Sequence, residues 1–211
     1  MSARNVVRVL GLALALTWAL VGGLINAGHA SAGACPNVEV VFARGTNEPP
    51  GVGGVGQAFI DSLRSQVRGQ SVGVYAVNYP ATDAFGSSSA AGAGDTRAHV
   101  QSTAANCPNT RMVLGGYSQG AGVIDMATND LAPVVDHVAA VAVFGNPQSA
   151  FARSLGRGQL PTISPLYSPK TINLCVPDDP ICSEGRNGRA HVAYVQSGMT
   201  NQAAAYAAGR L

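Results

Sequence analysis

A serine set between glycines is the residue of this sequence whose surroundings point most directly to chemistry. The segment Gly116–Gly120 (GYSQG) follows the pattern G-x-S-x-G, in which the serine occupies a strained turn between a strand and a helix. In a chain with 26 glycines the alternative is a glycine-rich turn without chemistry. However, an apolar run precedes Ser118 and a helical segment follows it, and the start of a helix stabilises developing negative charge. We therefore predict that Ser118 is a nucleophile.

A serine hydroxyl needs a general base, and we predict that His191 supplies it. His137 directly precedes an apolar run, which places it at the N-terminal edge of a parallel sheet, whereas ligands bind at the opposite edge. His99 falls within a predicted crossover helix, where we expect it to face solvent. His191 follows the last apolar run and can reach the edge that carries Ser118. The alternative for His191 is a capping or core histidine.

The acid should lie between the serine and the histidine. Enzymes that carry a G-x-S-x-G serine between a strand and a helix have their catalytic residues in the order Ser, acid, His along the chain. Three aspartates on or after the helix that follows the serine are interpreted as solvated or capping residues: Asp125, Asp130 and Asp136. Glu184 lies in a glycine-rich loop and is a weak candidate. Asp178 and Asp179 directly follow a predicted strand, within the segment CVPDDPIC. Position along the chain leaves both of these carboxylates as candidates.

The elements that would position these residues alternate along the chain. Five short, valine-rich apolar runs have the continuous pattern of strands buried on both faces of a parallel sheet: Val38–Ala43, Val72–Tyr79, Met112–Gly115, Val138–Phe144 and Thr171–Cys175. Helical spacing is found over residues 54–69, 94–106, 119–132 and 190–209. The segment Gly86–Gly94 (GSSSAAGAG) is expected to be a flexible surface loop. The alternation predicts a three-layer α/β domain.

Residues 1–34 have the features of a secretory signal peptide. They begin with basic residues, run apolar from Val9 to Leu24 and end in small residues. A membrane anchor is one alternative, although the apolar run is marginal for a span of roughly 20 residues. A lipoprotein site at Cys35 is another, although the large aliphatic residue expected before the cysteine is lacking. We therefore expect a cleaved signal over residues 1–34 and one folded domain over residues 35–211.

Removal of that signal would leave a nearly neutral chain. Of thirteen basic residues, Arg4 and Arg8 lie within the signal, so eleven remain against eleven acidic residues. This balance gives no electrostatic footprint for nucleic acid or for an anionic membrane. We expect no nucleic-acid partner, no stable membrane insertion after cleavage, and a monomer.

Four cysteines in an exported chain suggest two disulfides, which can pair in three ways. Cys175 and Cys182 are close enough to pair with each other, which would leave Cys35 with Cys107. A zinc site is the alternative. It is disfavoured because the sequence has no CxxC pair and few histidines, and we expect no metal.

Five motifs resemble the cutinase family of serine esterases in their order and spacing. They are VVFARGTNE at 40–48, CPNTRMVLGGYSQGA at 107–121, VAVFGNP at 141–147, CVPDDPIC at 175–182 and AHVAY at 190–194. The resemblance covers essentially the whole of residues 35–211. It is closer to secreted mycobacterial cutinase-like proteins than to fungal cutinases.

The resemblance implies a set of site residues: nucleophile Ser118, base His191, acid Asp179, and an oxyanion hole formed by the backbone N–H groups of Thr46 and Gln119. It implies the disulfides Cys35–Cys107 and Cys175–Cys182, and a five-stranded parallel sheet with no large lid. Arg44, in the first motif, is interpreted as structural. Members of the family cleave carboxylic esters without a cofactor, through an acyl group carried on the serine.

We accordingly expect a secreted or cell-wall-associated esterase for short- to medium-chain acyl esters and for lipid esters. One departure disfavours solid cutin as substrate: the loop Ser183–Ala190 is polar and carries Arg186 and Arg189, whereas fungal cutinases have mostly apolar residues there. The opposite rim, Ala81–Gly94, offers Phe85 as its one large apolar group. Two alternatives stay open, an acyltransferase that uses the same triad and a non-catalytic surface or antigen-like protein on a hydrolase scaffold.

Overall fold

Five parallel strands form the sheet of the computed structural model, which describes residues 35–156 and 162–211. The strands are β1 (Val38–Ala43), β2 (Val72–Ala76), β3 (Arg111–Tyr117), β4 (Val138–Phe144) and β5 (Thr171–Leu174). Their order across the sheet is β2-β1-β3-β4-β5. The chain therefore reverses its direction of progress beside β1 and β3, and ligands bind at such a switch point in open α/β sheets.

Helices cover both faces of this sheet. They are α1 (Gly53–Gln66), α2 (Phe85–Asn106), α3 (Gln119–Thr128), α4 (Ala150–Leu155) and α5 (Met199–Ala208). Single turns of 3₁₀ helix occupy Ser168–Lys170 and Ala190–Val192, and a longer one occupies Ala132–His137. Helices α1 and α5 pack on one face, and α2 and α3 pack on the other. The three-layer α/β domain predicted from the alternation of elements is confirmed, and so is the α/β-hydrolase fold with a five-stranded parallel sheet that the resemblance implied.

Burial on both faces explains the unbroken apolar runs. Phe42 on β1 packs among the rings of Phe59 and Phe144 on the side of α1 and α5. Its neighbour Val41 points into the cluster beneath α2 and α3. All seven residues of β4 are buried, so its sequence VAAVAVF has no polar position.

The helical predictions needed two corrections. Gly86–Gly94 is the first half of α2 rather than a flexible loop, since the helix begins at Phe85. Its small residues allow close packing: a side chain at Gly92 would meet Tyr79 and Val123. The predicted helix over 190–209 is interrupted. Gly198, with φ of 76°, separates the short turn at 190–192 from α5.

Two polar residues lie in different surroundings from those expected. His99 is half-buried rather than solvent-facing: its ring stacks on Tyr75, and its Nε2 lies 3.0 Å from Oε2 of Glu39. Asp125 is fully buried instead of solvated or capping, and it accepts a hydrogen bond from Asn146. Asp130 does lie at the surface, where it pairs with Arg97, and Asp136 is exposed.

Two disulfides connect the ends of elements. Cys35–Cys107 joins the residues before β1 to the end of α2, and Cys175–Cys182 closes the loop after β5. The lipoprotein alternative would require the Cys35 sulfur that the first disulfide uses. The predicted signal peptide, residues 1–34, lies outside the described residues. None of the helices in 35–156 and 162–211 is both long and apolar enough to cross a bilayer.

Candidate active site

Ser118 occupies a sharp turn between the end of β3 and the start of α3. Its φ of 55° and ψ of −121° lie in a region that residues with a side chain rarely adopt. The turn leaves no room on either side. A Cβ on Gly116 would collide with the backbone of Gly120, and one on Gly120 would collide with the backbone of Ala43. The G-x-S-x-G pattern therefore reflects a close approach of three backbone segments, and it leaves the serine hydroxyl at the carboxyl edge of the sheet.

The structure brings Ser118, His191 and Asp179 into one hydrogen-bonded row. Oγ of Ser118 lies 2.9 Å from Nε2 of His191. Nδ1 of His191 lies 2.8 Å from Oδ2 and 3.0 Å from Oδ1 of Asp179. This geometry makes Nδ1 the protonated nitrogen of a neutral imidazole, with Nε2 as acceptor for the serine hydroxyl.

The two aspartates of the disulfide loop are separated by their backbone. Asp178 has a φ of 67° and its side chain is exposed, whereas the chain turns the side chain of Asp179 fully into the protein. Burial alone would raise the pKa of Asp179. Hydrogen bonds from His191, from Tyr194 and from the Ile181 N–H outweigh burial and hold the pKa below its usual range. Asp179 therefore stays ionised beside the imidazole.

His191 is held from its other side by Tyr117, the residue before the serine. The two rings stack with centroids 5.1 Å apart, and the Tyr117 hydroxyl donates to the backbone oxygen of His191 at 2.7 Å. Gly145, with φ of 58°, passes close to the imidazole edge, where a side chain would press on the ring. Sequence reasoning did not assign these contacts.

The loop after β1 carries Thr46, the first expected oxyanion residue. Arg44 is buried, and its guanidinium donates to the backbone oxygens of Glu48 (2.8 Å) and Tyr79 (2.8 Å), in agreement with a structural role. The Glu48 carboxylate accepts from the N–H groups of Gly45 (2.6 Å) and Gly54 (3.0 Å). These contacts fix the backbone on both sides of Thr46.

Gln119, the second expected oxyanion residue, is the first residue of α3 and is buried. Its side-chain Nε2 donates to the backbone oxygen of Thr82 at 3.0 Å, and its Oε1 lies 3.5 Å from the Thr46 hydroxyl. Thr46 and Gln119 therefore face each other beside Ser118. The start of α3 adds the positive end of a helix dipole at the same place.

A cavity of about 430 Å³ opens beside the serine. Its walls are largely apolar and come from several elements: Phe85, Pro147, Ala152, Leu155, Ile181 and Val192. Leu155 and Val192 stand at its rim with 42% and 67% of their surface exposed. Helix α4, which supplies Leu155, was not predicted. The apolar pair at positions 151 and 155, four residues apart, was the available signal.

The arginines of the polar loop lie elsewhere. Arg186 and Arg189 are exposed, and neither belongs to the described residues that line the cavity. The polarity of that loop therefore does not carry over to the cavity wall. Val192, which follows His191, provides an apolar rim that sequence reasoning did not anticipate.

Comparison with known proteins places the chain in a family. A model of the family described as Cutinase matches residues 34–211. The chain belongs to the cutinase family. It is accordingly a carboxylic ester hydrolase, as the resemblance of its motifs predicted.

Two similar proteins come from a mycobacterium. Carboxylesterase Culp1 of Mycobacterium tuberculosis is 59% identical over 213 residues, which span 100% of this chain and 98% of that protein. Phospholipase Culp4 of the same organism is 51% identical over 193 residues, 86% of this chain and 81% of its own.

Solved cutinase-like structures share the architecture. The Trichoderma reesei cutinase in complex with a C11Y4 phosphonate inhibitor superimposes with a TM-score of 0.68 and 32% identity, over 83% of this chain and 76% of the fungal one. An acetyl xylan esterase superimposes with a TM-score of 0.70 and 25% identity, over 84% and 99% of the two chains. Both support the architecture of a five-stranded parallel sheet flanked by helices.

Proposed function

We propose that this protein is a secreted serine carboxylesterase that cleaves short- to medium-chain acyl esters, including those of lipids, through an acyl-enzyme. Ser118 is the nucleophile, His191 the general base and Asp179 the acid. The observation that carries the proposal is the hydrogen-bonded row of these three side chains at the mouth of an apolar cavity.

The geometry supports acylation of the serine. As Oγ of Ser118 attacks the ester carbonyl carbon, Nε2 of His191 takes its proton, and the ionised Asp179 stabilises the imidazolium that forms. The tetrahedral oxyanion would be held by the backbone N–H groups of Thr46 and Gln119. Each such donor contributes roughly 3–4 kcal/mol to lowering the barrier.

The remaining steps return the serine to its starting state. Collapse of the tetrahedral intermediate breaks the bond to the alcohol oxygen, which leaves with the proton from His191. A water molecule then gives a proton to His191 and attacks the acyl carbon. Collapse of this second intermediate releases the carboxylic acid and returns the proton to Ser118.

The cavity supports an apolar acyl group of limited length. Its volume of about 430 Å³ lies at the lower end of the range for ligand sites. The apolar walls favour an acyl chain over a charged group, and each buried methylene contributes about 0.8 kcal/mol. The exposed Leu155 and Val192 would meet the continuation of a longer chain, and the similarity to Phospholipase Culp4 supports lipid esters as substrates.

Export is supported by the two disulfides, which persist in oxidising compartments. We propose cleavage of residues 1–34 as a signal and a mature domain over residues 35–211. The mass of the exported protein would test this, since a terminus far from Cys35 would contradict it.

The proposal is tested by assaying a series of p-nitrophenyl esters of increasing acyl length beside Ser118→Ala. We expect rates to rise and then fall with chain length, and the variant to be inactive. Equal rates in both proteins would contradict the role of Ser118 and favour a non-catalytic scaffold. A transesterified product that dominates when an alcohol is added would instead indicate an acyltransferase.

A further inference from the structure

Tyr194 is fully buried beneath the active site, and its hydroxyl reaches the candidate triad acid. Oη of Tyr194 donates to Oδ2 of Asp179 at 2.5 Å. The same carboxylate oxygen lies 2.8 Å from Nδ1 of His191. The tyrosine follows the histidine by three residues, so one turn of chain directs two donors at one carboxylate.

The Tyr194 ring is fixed by its neighbours. It packs edge-to-face against Phe144, Tyr117 and His191, with centroid distances of 6.0, 5.7 and 6.4 Å. Its hydroxyl also lies 3.4 Å from the backbone nitrogen of Val176, in the disulfide loop that carries Asp179. The tyrosine thus connects that loop to the turn that carries the histidine.

The hydroxyl acts as a donor throughout the working pH range of an esterase. Burial first, and then the hydrogen bond and charge of Asp179, raise the pKa of Tyr194 far above its ordinary value. A phenol that stays protonated beside an ionised carboxylate can only donate to it.

The Tyr194 hydroxyl is one of three donors around the carboxylate of Asp179. Its Oδ1 accepts from the Ile181 N–H at 2.8 Å and lies 3.0 Å from Nδ1 of His191, and its Oδ2 is shared by His191 and Tyr194. Without the phenol, Oδ2 would face the imidazole alone. The carboxylate of Asp179 could then rotate about its Cβ–Cγ bond, and its negative charge would have one hydrogen-bond donor fewer.

We propose that Tyr194 is a positioning residue for the ester hydrolysis, whose hydroxyl fixes the carboxylate of Asp179 and thereby the orientation of His191. The inference rests on the proposed roles of Ser118, His191 and Asp179. Tyr194 touches neither the substrate nor the reacting atoms, and it acts through the acid.

The test is Tyr194→Phe, which removes one oxygen and keeps the ring. We expect kcat on a short p-nitrophenyl ester to fall about tenfold, the effect of one hydrogen bond to a charged group, with KM nearly unchanged. A less neutralised carboxylate stabilises the imidazolium more strongly. The acid limb of the kcat/KM profile should therefore move to higher pH by about half a unit or more.

Tyr167→Phe is the matched control. Tyr167 is also fully buried, and its hydroxyl donates to the backbone oxygen of Leu131 at 2.8 Å on the opposite face of the sheet. Tyr167→Phe should lower the melting temperature about as much as Tyr194→Phe does. It should leave kcat and the acid limb of the kcat/KM profile unchanged. The downfield proton resonance of the imidazole Nδ1–H should shift in Tyr194→Phe and not in Tyr167→Phe.

The outcomes separate this inference from the proposed function. If Ser118→Ala is inactive but Tyr194→Phe keeps the kcat and the acid limb of the parent, the positioning role is wrong and the triad stands. A lower kcat with an unmoved limb would reduce Tyr194 to a packing role and would equally overturn the inference. If Ser118→Ala retains full activity, the proposed function itself fails.

Discussion

Asn146 and Asp125 meet inside the protein, where Nδ2 of the asparagine donates to Oδ2 of the aspartate at 2.9 Å. Asp125 lies on α3, two turns after Ser118, and Asn146 lies in the loop that follows β4. Among the described residues, Oδ1 of each has no hydrogen-bond partner. Burial raises the pKa of Asp125 to about 7, against a smaller opposing effect of the Asn146 hydrogen bond.

Because of the buried Asp125, we expect the free energy of unfolding to fall as the pH rises. Because the folded-state pKa of Asp125 is raised, its contribution is fully present below its unfolded pKa near 3.8 and is lost as the pH passes through about 7. The loss amounts to at most about 4 kcal/mol. We expect Asp125→Asn to remove this dependence and to be more stable than the parent at pH 8, since an amide supplies a donor without charge.

Urea unfolding of both proteins at pH 5 and pH 8 measures the effect. Asp130→Asn, which changes an exposed aspartate of the same region, is the control and should leave the pH dependence intact. If the free energies of unfolding of Asp125→Asn and the parent differ by the same amount at both pH values, Asp125 is not the source of the pH dependence.

The neighbouring carboxylates of the disulfide loop predict opposite mutational effects. Asp179→Asn should lower kcat by about three to four orders of magnitude with the fold intact, because an amide cannot stabilise the imidazolium or hold its tautomer. Asp178→Asn should be mild, since that side chain is exposed. Ester turnover and circular dichroism of both variants check this, and the reverse ranking would identify Asp178 as the acid.

The layers of the fold and the sheet edge that His191 reaches could both be predicted from the sequence, because both follow from local patterns and their order along the chain. Continuous valine-rich runs mark strands buried on two faces, and the position of His191 after the last strand determines which sheet edge it reaches. The choice between Asp178 and Asp179 came only from the resemblance. It depends on a backbone φ of 67° that no composition rule indicates.

Long-range packing explains what the sequence did not disclose. The low-complexity composition of Gly86–Gly94 predicts a flexible loop, yet close contact of Gly92 with Tyr79 and Val123 favours small residues in a helix there. The cavity walls combine residues far apart in the chain, such as Phe85 and Val192. Tyr194 stood in a recognised motif, but its role depends on a contact with a different loop.

Loss of the Glu48 carboxylate should impair catalysis, although this side chain does not contact the reacting atoms. Its carboxylate holds the N–H groups of Gly45 and Gly54, on either side of Thr46. Glu48→Ala should let the Thr46 N–H move away from the oxyanion position and lower kcat about tenfold to a hundredfold, less than complete loss of one donor. KM should change little, since the effect falls on the transition state.

Steady-state kinetics of Glu48→Ala measure this, with Asp61→Ala as a control for the loss of one negative charge. Asp61 is exposed on α1 and should leave kcat unchanged. A raised KM with an unaltered kcat in Glu48→Ala would place the carboxylate in substrate binding instead.

The two disulfides predict a separation between activity and stability. Removing the short ring by Cys175→Ser with Cys182→Ser should lower the free energy of unfolding by about 2.5 kcal/mol, and removing the long ring by Cys35→Ser with Cys107→Ser by about 4 kcal/mol.

Only the short ring carries Asp179, so its loss should lower kcat several-fold at temperatures where the protein is still folded. The long-ring variant should be less stable and yet keep the parent kcat below its melting temperature. Turnover at 15 °C beside thermal unfolding of each variant decides the matter, and an equal fall of kcat in both would show that the short ring stabilises the domain without positioning the acid.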